Sequence, residues 1–183
     1  MSIHDYPHPP LTADVVLLAV GEADLRVLLV QRGKPPSPGA WAFPGGFVNV
    51  GEAPQDAARR ELEEETHIRH AHLEQLRTFG APGRDPRGHV VSVVYLAVTG
   101  MDIRPMTEAG SDAARARWWS VDDLPPLAFD HADVLTCALQ RLRSKLATPL
   151  EDPDALPDEL SLGDLRTASR MAARFVQEER GCP

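Results

Sequence analysis

The sequence predicts an α/β protein: a mixed β-sheet between two main helices, a three-layer α/β/α sandwich, followed by a short C-terminal helical tail. Two observations predict it. Short apolar runs rich in β-branched residues, separated by Gly- and Pro-rich connections, recur up to residue 120. Two longer segments carry helical signatures instead. The stretch 54–65 holds no glycine or β-branched residue, and 131–146 places apolar residues at 134, 135, 138, 139, 142 and 146. Strand runs before and between two such helices need a sheet covered on its faces.

Taken in order, residues 1–11 form a proline-rich extended arm. The runs 14–20 (DVVLLAV) and 25–32 (LRVLLVQR) read as a hairpin buried on both faces, turning at 21–24 (GEAD). Three prolines make 33–39 a loop. A short strand, 41–48, is interrupted by Pro-Gly-Gly. The helix over 54–65 follows, opened by Pro54, whose missing N–H is not needed in a first turn. Residues 73–79 and 89–98 are further strands joined by the Gly- and Pro-rich stretch 80–88, and 114–120 is the last. After the helix 131–146, a Pro- and Asp-rich linker leads to an amphipathic helix from Ser161, its N-cap, to about residue 179. Leu162, Leu165, Ala168, Ser169, Ala172, Phe175 and Val176 mark one face of it. The organisation is thus an arm (1–11), one domain (12–147), and an acidic linker with a C-terminal helix (148–183).

Composition narrows the function classes. A net charge of −8 argues against an extended nucleic-acid surface. The two cysteines, Cys137 and Cys182, lie far apart and indicate neither a zinc site nor a disulfide framework. No apolar run approaches membrane-spanning length, and the first ten residues, MSIHDYPHPP, lack the basic and apolar regions of a signal peptide, so the expected setting is cytoplasmic, away from membranes.

The chemistry concentrates in residues 46–68, GFVNVGEAPQDAARRELEEETHI. Glu61, Glu64 and Glu65 fall on one helix face at i, i+3 and i+4, with Ala58 and Leu62 on the adjoining stripe to pack against a sheet. Three like charges so close are costly unless a cation lies between them. All-oxygen ligands suit Mg²⁺, or Mn²⁺, which binds through a few carboxylates plus substrate phosphates. A solvated acidic face is the commoner meaning of a Glu run. It leaves unexplained Gly45-Gly46, the gap to Glu52, and Arg60 beside Glu61.

This spacing resembles the Nudix box, G-x5-E-x7-R-E-U-x-E-E-x-G-U with U apolar, at every position except His67, which stands where the box has its second glycine. The resemblance, over roughly residues 12–147, implies the Nudix α/β/α sandwich and cleavage of a nucleoside diphosphate linked to another moiety. It implies Glu61, Glu64, Glu65 and Gly46 at the metal, and Glu61, Glu64, Arg60 and Glu52 in the catalytic network. Arg60 would hold the glutamate rotamers, Glu52 would orient the network from its loop, and a glutamate or loop carboxylate would orient or deprotonate the attacking water. His67 would end the helix in the left-handed region, at a cost of about 1 kcal/mol in backbone strain, without removing a ligand.

Further residues bear on substrate. Arg32 ends a strand beside the loop leading to the box, where Nudix enzymes often put a phosphate-contacting cation; a solvated strand end is the equal alternative. Arg84 and Arg87 make a diphosphate or ribose-phosphate clamp, or belong to a turn organised by Asp85. Trp41 and Phe43 stack on adenine or belong to the core. Glu108 and Asp112 are candidate additional carboxylates from the loop before the last strand. The stretch TFGAPGRDPRGHVVSVVYLA and the run LPPLAFDHADVL, with Phe129 and His131 packing or lining the cleft, are similar to ADP-ribose-type members. That subgroup implies hydrolysis of ADP-ribose to AMP and ribose 5-phosphate, and commonly a homodimer.

Two alternatives stay open. One is a Nudix-like, ADP-ribose-sensing transcription regulator. Against it stand the complete box carboxylates and a tail (148–183) with four Lys/Arg against eight Asp/Glu, the wrong sign for phosphate contacts. That tail is also shorter than a winged helix. The other alternative is a nucleoside triphosphate or dinucleoside polyphosphate hydrolase.

Overall fold

The structure, a computed structural model, describes residues 8–20, 24–100, 113–147, 170 and 172. Its order is β1 (Leu11–Val20), β2 (Leu25–Arg32), β3 (Trp41–Ala42), β4 (Gly45–Phe47), α1 (Pro54–Thr66), β5 (Glu74–Phe79), β6 (Val91–Gly100), β7 (Ala113–Ser120) and α2 (His131–Ala147). All strands join one sheet of order β3-β2-β1-β6-β5, with β4 on β1 and β7 on β2. β1 and β6 run parallel from Leu11↔Val91 to Val20↔Gly100, and the other pairs are antiparallel, so the sheet is mixed.

The layers follow from side-chain alternation along β1. Val16, Leu18 and Val20 face one way, into a cluster with Val134, Leu135, Ala138, Leu139 and Leu142 of α2. Ala13, Val15 and Leu17 face the other, into a cluster with Ala57, Ala58 and Leu62 of α1. A strand apolar on both faces can be buried only between two helical layers, and this is the α/β/α sandwich. Among the described residues, no helix is long and apolar enough to cross a membrane.

The structure departs from the sequence expectation in several places. The run 41–48 becomes two strands on different partners: β3 pairs with β2, while β4 pairs with β1 through Thr12↔Phe47, Ala13↔Gly46 and Asp14↔Gly45. Pro44 has no N–H to continue a ladder, and its carbonyl instead accepts from Val15 N–H at 2.8 Å. β1 begins at Leu11, and β6 at Val91 instead of 89 because a turn closed by Gly88 N–H to Asp85 O precedes it. Cys137 is buried in the α2-side core, and Cys182 lies outside the described residues. The tail helix also lies outside them except for Arg170 and Ala172, and Ala172 is buried in the α2-side core.

α1 starts at Pro54 without a side-chain cap and ends at His67, which adopts φ 60° and ψ 15° and donates its N–H to Glu63 O at 2.8 Å. A residue with a Cβ is strained there. His67→Gly is expected to raise stability by about 1 kcal/mol; equal thermal melts for the two proteins would count against that strain.

Candidate active site

The carboxylate face of α1 opens into a cleft of about 540 Å³, walled on one side by β4 and α1 and on the other by Arg32, the 80–90 connection and the start of α2. Glu61, Glu64 and Glu65 all line it. Arg60 organises the box. Its Nε and Nη2 donate to the two Glu52 oxygens (2.8 and 3.0 Å), Nη1 donates to Glu61 (2.7 Å) and Glu64 (3.4 Å), and Nη2 also donates to the Phe47 carbonyl (3.1 Å). Hydrogen bonds from Arg60, then from the Asn49 N–H, hold the Glu52 carboxyl down at about 2. Among the described residues no three such side chains are already gathered around one point.

The donor set nonetheless fits a hard divalent cation. Burial pushes the Glu61 carboxyl up, and burial together with Glu61 and Asp14 raises Glu65 to about 8, although Gly45 N–H donates to it at 3.1 Å. A bound cation offsets that cost of holding negative charge. The glycine pair makes the approach possible: a Cβ on Gly46 would lie 2.3 Å from Glu61 Oε1, and one on Gly45 2.4 Å from Asp14 Oδ1. A side chain at Gly46 would have to displace the Glu61 carboxylate, and one at Gly45 would run into the β1 backbone.

On the facing wall the arginines have different fates. Arg84 is nearly buried and held bidentately by Asp130, at 2.8 and 2.6 Å. Arg87 is held by Asp85, itself buried, through three side-chain hydrogen bonds, the shortest 2.6 Å. Arg32 donates from Nε to the Pro36 carbonyl at 2.8 Å and, among the described residues, has no carboxylate within ion-pair distance. Burial, then the neighbouring Arg87, lowers its pKa. Both cations converge on one ring, with Arg32 4.7 Å and Arg87 5.5 Å from the Phe129 centroid. Arg87 is paired with Asp85, so among the described residues Arg32 is the guanidinium left to attract an anion across the cleft from the box.

Trp41 and Phe43 are placed differently from the cleft arginines. Trp41 does not line the cleft; it packs edge-on against Trp119 in the core, centroids 5.1 Å apart. Phe43 lines the wall, but His131 stacks on it at 4.6 Å, and its N–H donates to His131 Nδ1 at 3.0 Å. Glu108 and Asp112 lie outside the described residues.

His131 is neutral, because Nδ1 accepts a hydrogen bond, and burial, reinforced by Arg84 and Arg32, lowers its pKa to about 3. A histidine lowered in the fold binds its proton more readily when unfolded, so it destabilises the fold as pH falls from about 6.5 towards 3. His131→Phe is expected to be less stable at pH 7, where it leaves the Phe43 N–H unpaired. Its stability should fall less steeply between pH 6.5 and 4.5, by up to about 1.4 kcal/mol per pH unit. Parallel melting curves for the two proteins over that range would refute the neutral, buried assignment.

Asp14 belongs to none of the sequence motifs. It is the only charged residue of its apolar run, and that is the signal that marks it. It stands in the cleft floor on β1, accepts a short hydrogen bond from Ser92 Oγ, and is raised by burial to about 6. Phe47, next to Gly46, is a second cleft residue outside the motif positions.

A family model described as NUDIX domain matches residues 8–137. The chain belongs to the Nudix family. Its box carries the full carboxylate set of a Nudix pyrophosphohydrolase, with His67 as the single departure, at the helix end and away from the cleft. Among similar proteins is an ADP-ribose pyrophosphatase of Methanocaldococcus jannaschii, 39% identical over 131 residues (71% of this chain, 73% of that protein). An ADPR responsive transcriptional repressor, NtrR, of Acinetobacter baylyi is 34% identical over 167 residues, 88% of this chain; the match spans 66% of the repressor. The solved NUDIX domain of Shewanella oneidensis NrtR, complexed with ADP ribose, superposes with a TM-score of 0.71 at 34% identity, covering 78% of this chain and 94% of that domain.

Proposed function

We propose that this Nudix protein hydrolyses the pyrophosphate bond of a nucleoside diphosphate derivative, ADP-ribose to AMP and ribose 5-phosphate. The carrying observation is the cleft itself, where three box glutamates face Arg32 and Arg87, a cation site opposite an anion site. A relative named as an ADP-ribose pyrophosphatase and a solved domain bound to ADP ribose support the choice of substrate.

Glu61, Glu64 and Glu65 would hold Mg²⁺ or Mn²⁺, with the Gly46 backbone against Glu61. Such an ion offsets the charge of the diphosphate and makes water a stronger nucleophile. The protein's own residues do the rest. Arg60 and Glu52 fix the glutamate rotamers, as positioning groups behind the ligands. Arg32, with no carboxylate within ion-pair distance among the described residues, draws the diphosphate to the facing wall, where Arg87 shares Phe129 with it. Arg84, neutralised by Asp130, shapes that wall and does not act as a second clamp. A cytoplasmic setting and a homodimer belong to the same reading, the dimer to be tested by light scattering.

A hydrolysis panel with Mg²⁺ or chelator tests the activity, using ADP-ribose, NADH, diadenosine polyphosphates and nucleoside triphosphates, with products identified. AMP and ribose 5-phosphate from ADP-ribose, only with metal, are expected. Turnover of the triphosphates alone would overturn the substrate.

One observation favours a second reading, an ADP-ribose-responsive regulator: the similarity to the repressor runs over 167 residues, past the Nudix match. A gel shift with this chain and its own upstream DNA separates the two, since the enzyme reading expects no shifted band.

A further inference from the structure

Beyond Arg32 the cleft continues into a side lobe of about 310 Å³ whose own walls include Val30, Gln31, Lys34 and Pro35. Phe47, Arg87 and Glu65 border both spaces. We infer that the ring of Phe47, backed by Arg87, is the platform on which the nucleobase stacks, with the side lobe receiving the base. The inference rests on a nucleotide-containing substrate and goes further by naming where its base is read.

The cleft aromatics differ in what they have left to offer. Phe43 is covered by His131, and Phe129 is approached by Arg32, Arg87 and His131. Phe47 is 46% exposed, and among the described residues only Val50 is another large apolar side chain so exposed. Arg87 lies 5.1 Å from its ring centroid, so one side of the ring is backed by a guanidinium and the rest faces solvent. A flat π-surface so presented stacks any base, because stacking needs only a π-face.

The ring is also held in place. Phe47 pairs with Thr12 on β1, its carbonyl accepts from Arg60, and Arg87 is anchored by the buried Asp85. Little ordering is left to be done on binding. Its position relative to the reaction is set by the chain: Gly46, the preceding residue, lies against Glu61. One residue spans about 3.8 Å between Cα atoms, and in a nucleotide a single ribose separates base from α-phosphate, so a base on Phe47 puts its phosphate at the box.

The test compares Phe47→Ala and Phe47→Trp with the wild type. Phe47→Ala is expected to raise KM for ADP-ribose about ten-fold or more with kcat within about two-fold, as loss of a stacking partner does. Inhibition by AMP should weaken in parallel, inhibition by ribose 5-phosphate should not change, and Phe47→Trp should restore both KM and AMP inhibition. Quenching of 1,N6-etheno-AMP fluorescence on binding should be lost in Phe47→Ala and present in Phe47→Trp. Unchanged AMP inhibition in Phe47→Ala, equal weakening of both inhibitors, or no quenching by the wild-type protein would overturn the platform. The titration needs no turnover. Quenching that depends on Phe47 in a protein that leaves ADP-ribose intact would therefore refute the activity and keep the platform.

Discussion

Glu64→Gln is expected to lower kcat for ADP-ribose by about 100-fold or more while leaving the melting temperature within about 2 °C of wild type. The asymmetry follows from its position. The Glu64 side chain is 58% exposed and its one ion-pair partner among the described residues is Arg60, at a long 3.4 Å, so the fold loses little when its charge is removed. It is also one of the three carboxylates that would hold the metal ion, and a neutral amide is a poor ligand for a hard cation. Near-normal turnover by a folded Glu64→Gln protein would remove the metal role from this residue. A large fall in melting temperature would show instead that the box helix depends on it structurally.

Gly45→Ala is expected to act in the opposite way, on the fold. A Cβ there would lie 2.6 Å from the Ala13 carbonyl and 2.8 Å from Asp14 Cα, both backbone atoms of β1, besides 2.4 Å from Asp14 Oδ1. β1 pairs with β2, β4 and β6 and lies between both core clusters, so its backbone has nowhere to go. Overpacking of that kind costs about 1–3 kcal/mol, more where nothing yields, and lowers the melting temperature on the order of 5–10 °C in a chain of this size. Gly46→Ala gives the contrast. The three atoms nearest its Cβ would all belong to the Glu61 carboxylate, the end of a flexible side chain, the closest at 2.3 Å. It should displace that carboxylate and cost activity with a smaller loss of stability. Thermal melts and metal-dependent turnover of the two variants check both halves, and equal melting temperatures would refute the distinction.

The site shows where residue patterns carry information and where they stop. Arg60 and Glu52 pair across the loop and helix as the box spacing implies, since eight residues of chain leave little freedom in how they meet. His67 takes the left-handed conformation at the helix end for an equally local reason. The arginines of the facing wall are different. Arg84 is spent on Asp130, 46 residues away, and so differs from Arg32 although both are cleft arginines. Phe43 is spoken for by His131, 88 residues away, and Trp41 by Trp119. No local pattern tells a free guanidinium or ring from an occupied one, because the occupant is supplied by another element.

The sequence by itself determined the α/β class, the box helix with its three carboxylates on one face, and the family, because each rests on periodicity or fixed spacing within a short stretch. The tertiary structure decided the rest: that β4 leaves its neighbour β3 to pair with β1, that Asp14 lies in the cleft floor, that Arg32 alone of the facing arginines lacks a carboxylate within ion-pair distance among the described residues, and that Phe47 is the exposed ring beside the box. The physical reason is one of range. Backbone propensity and i, i+4 geometry act within a turn or two of helix, whereas desolvation, ion pairing and ring stacking depend on which distant segments the sheet brings together.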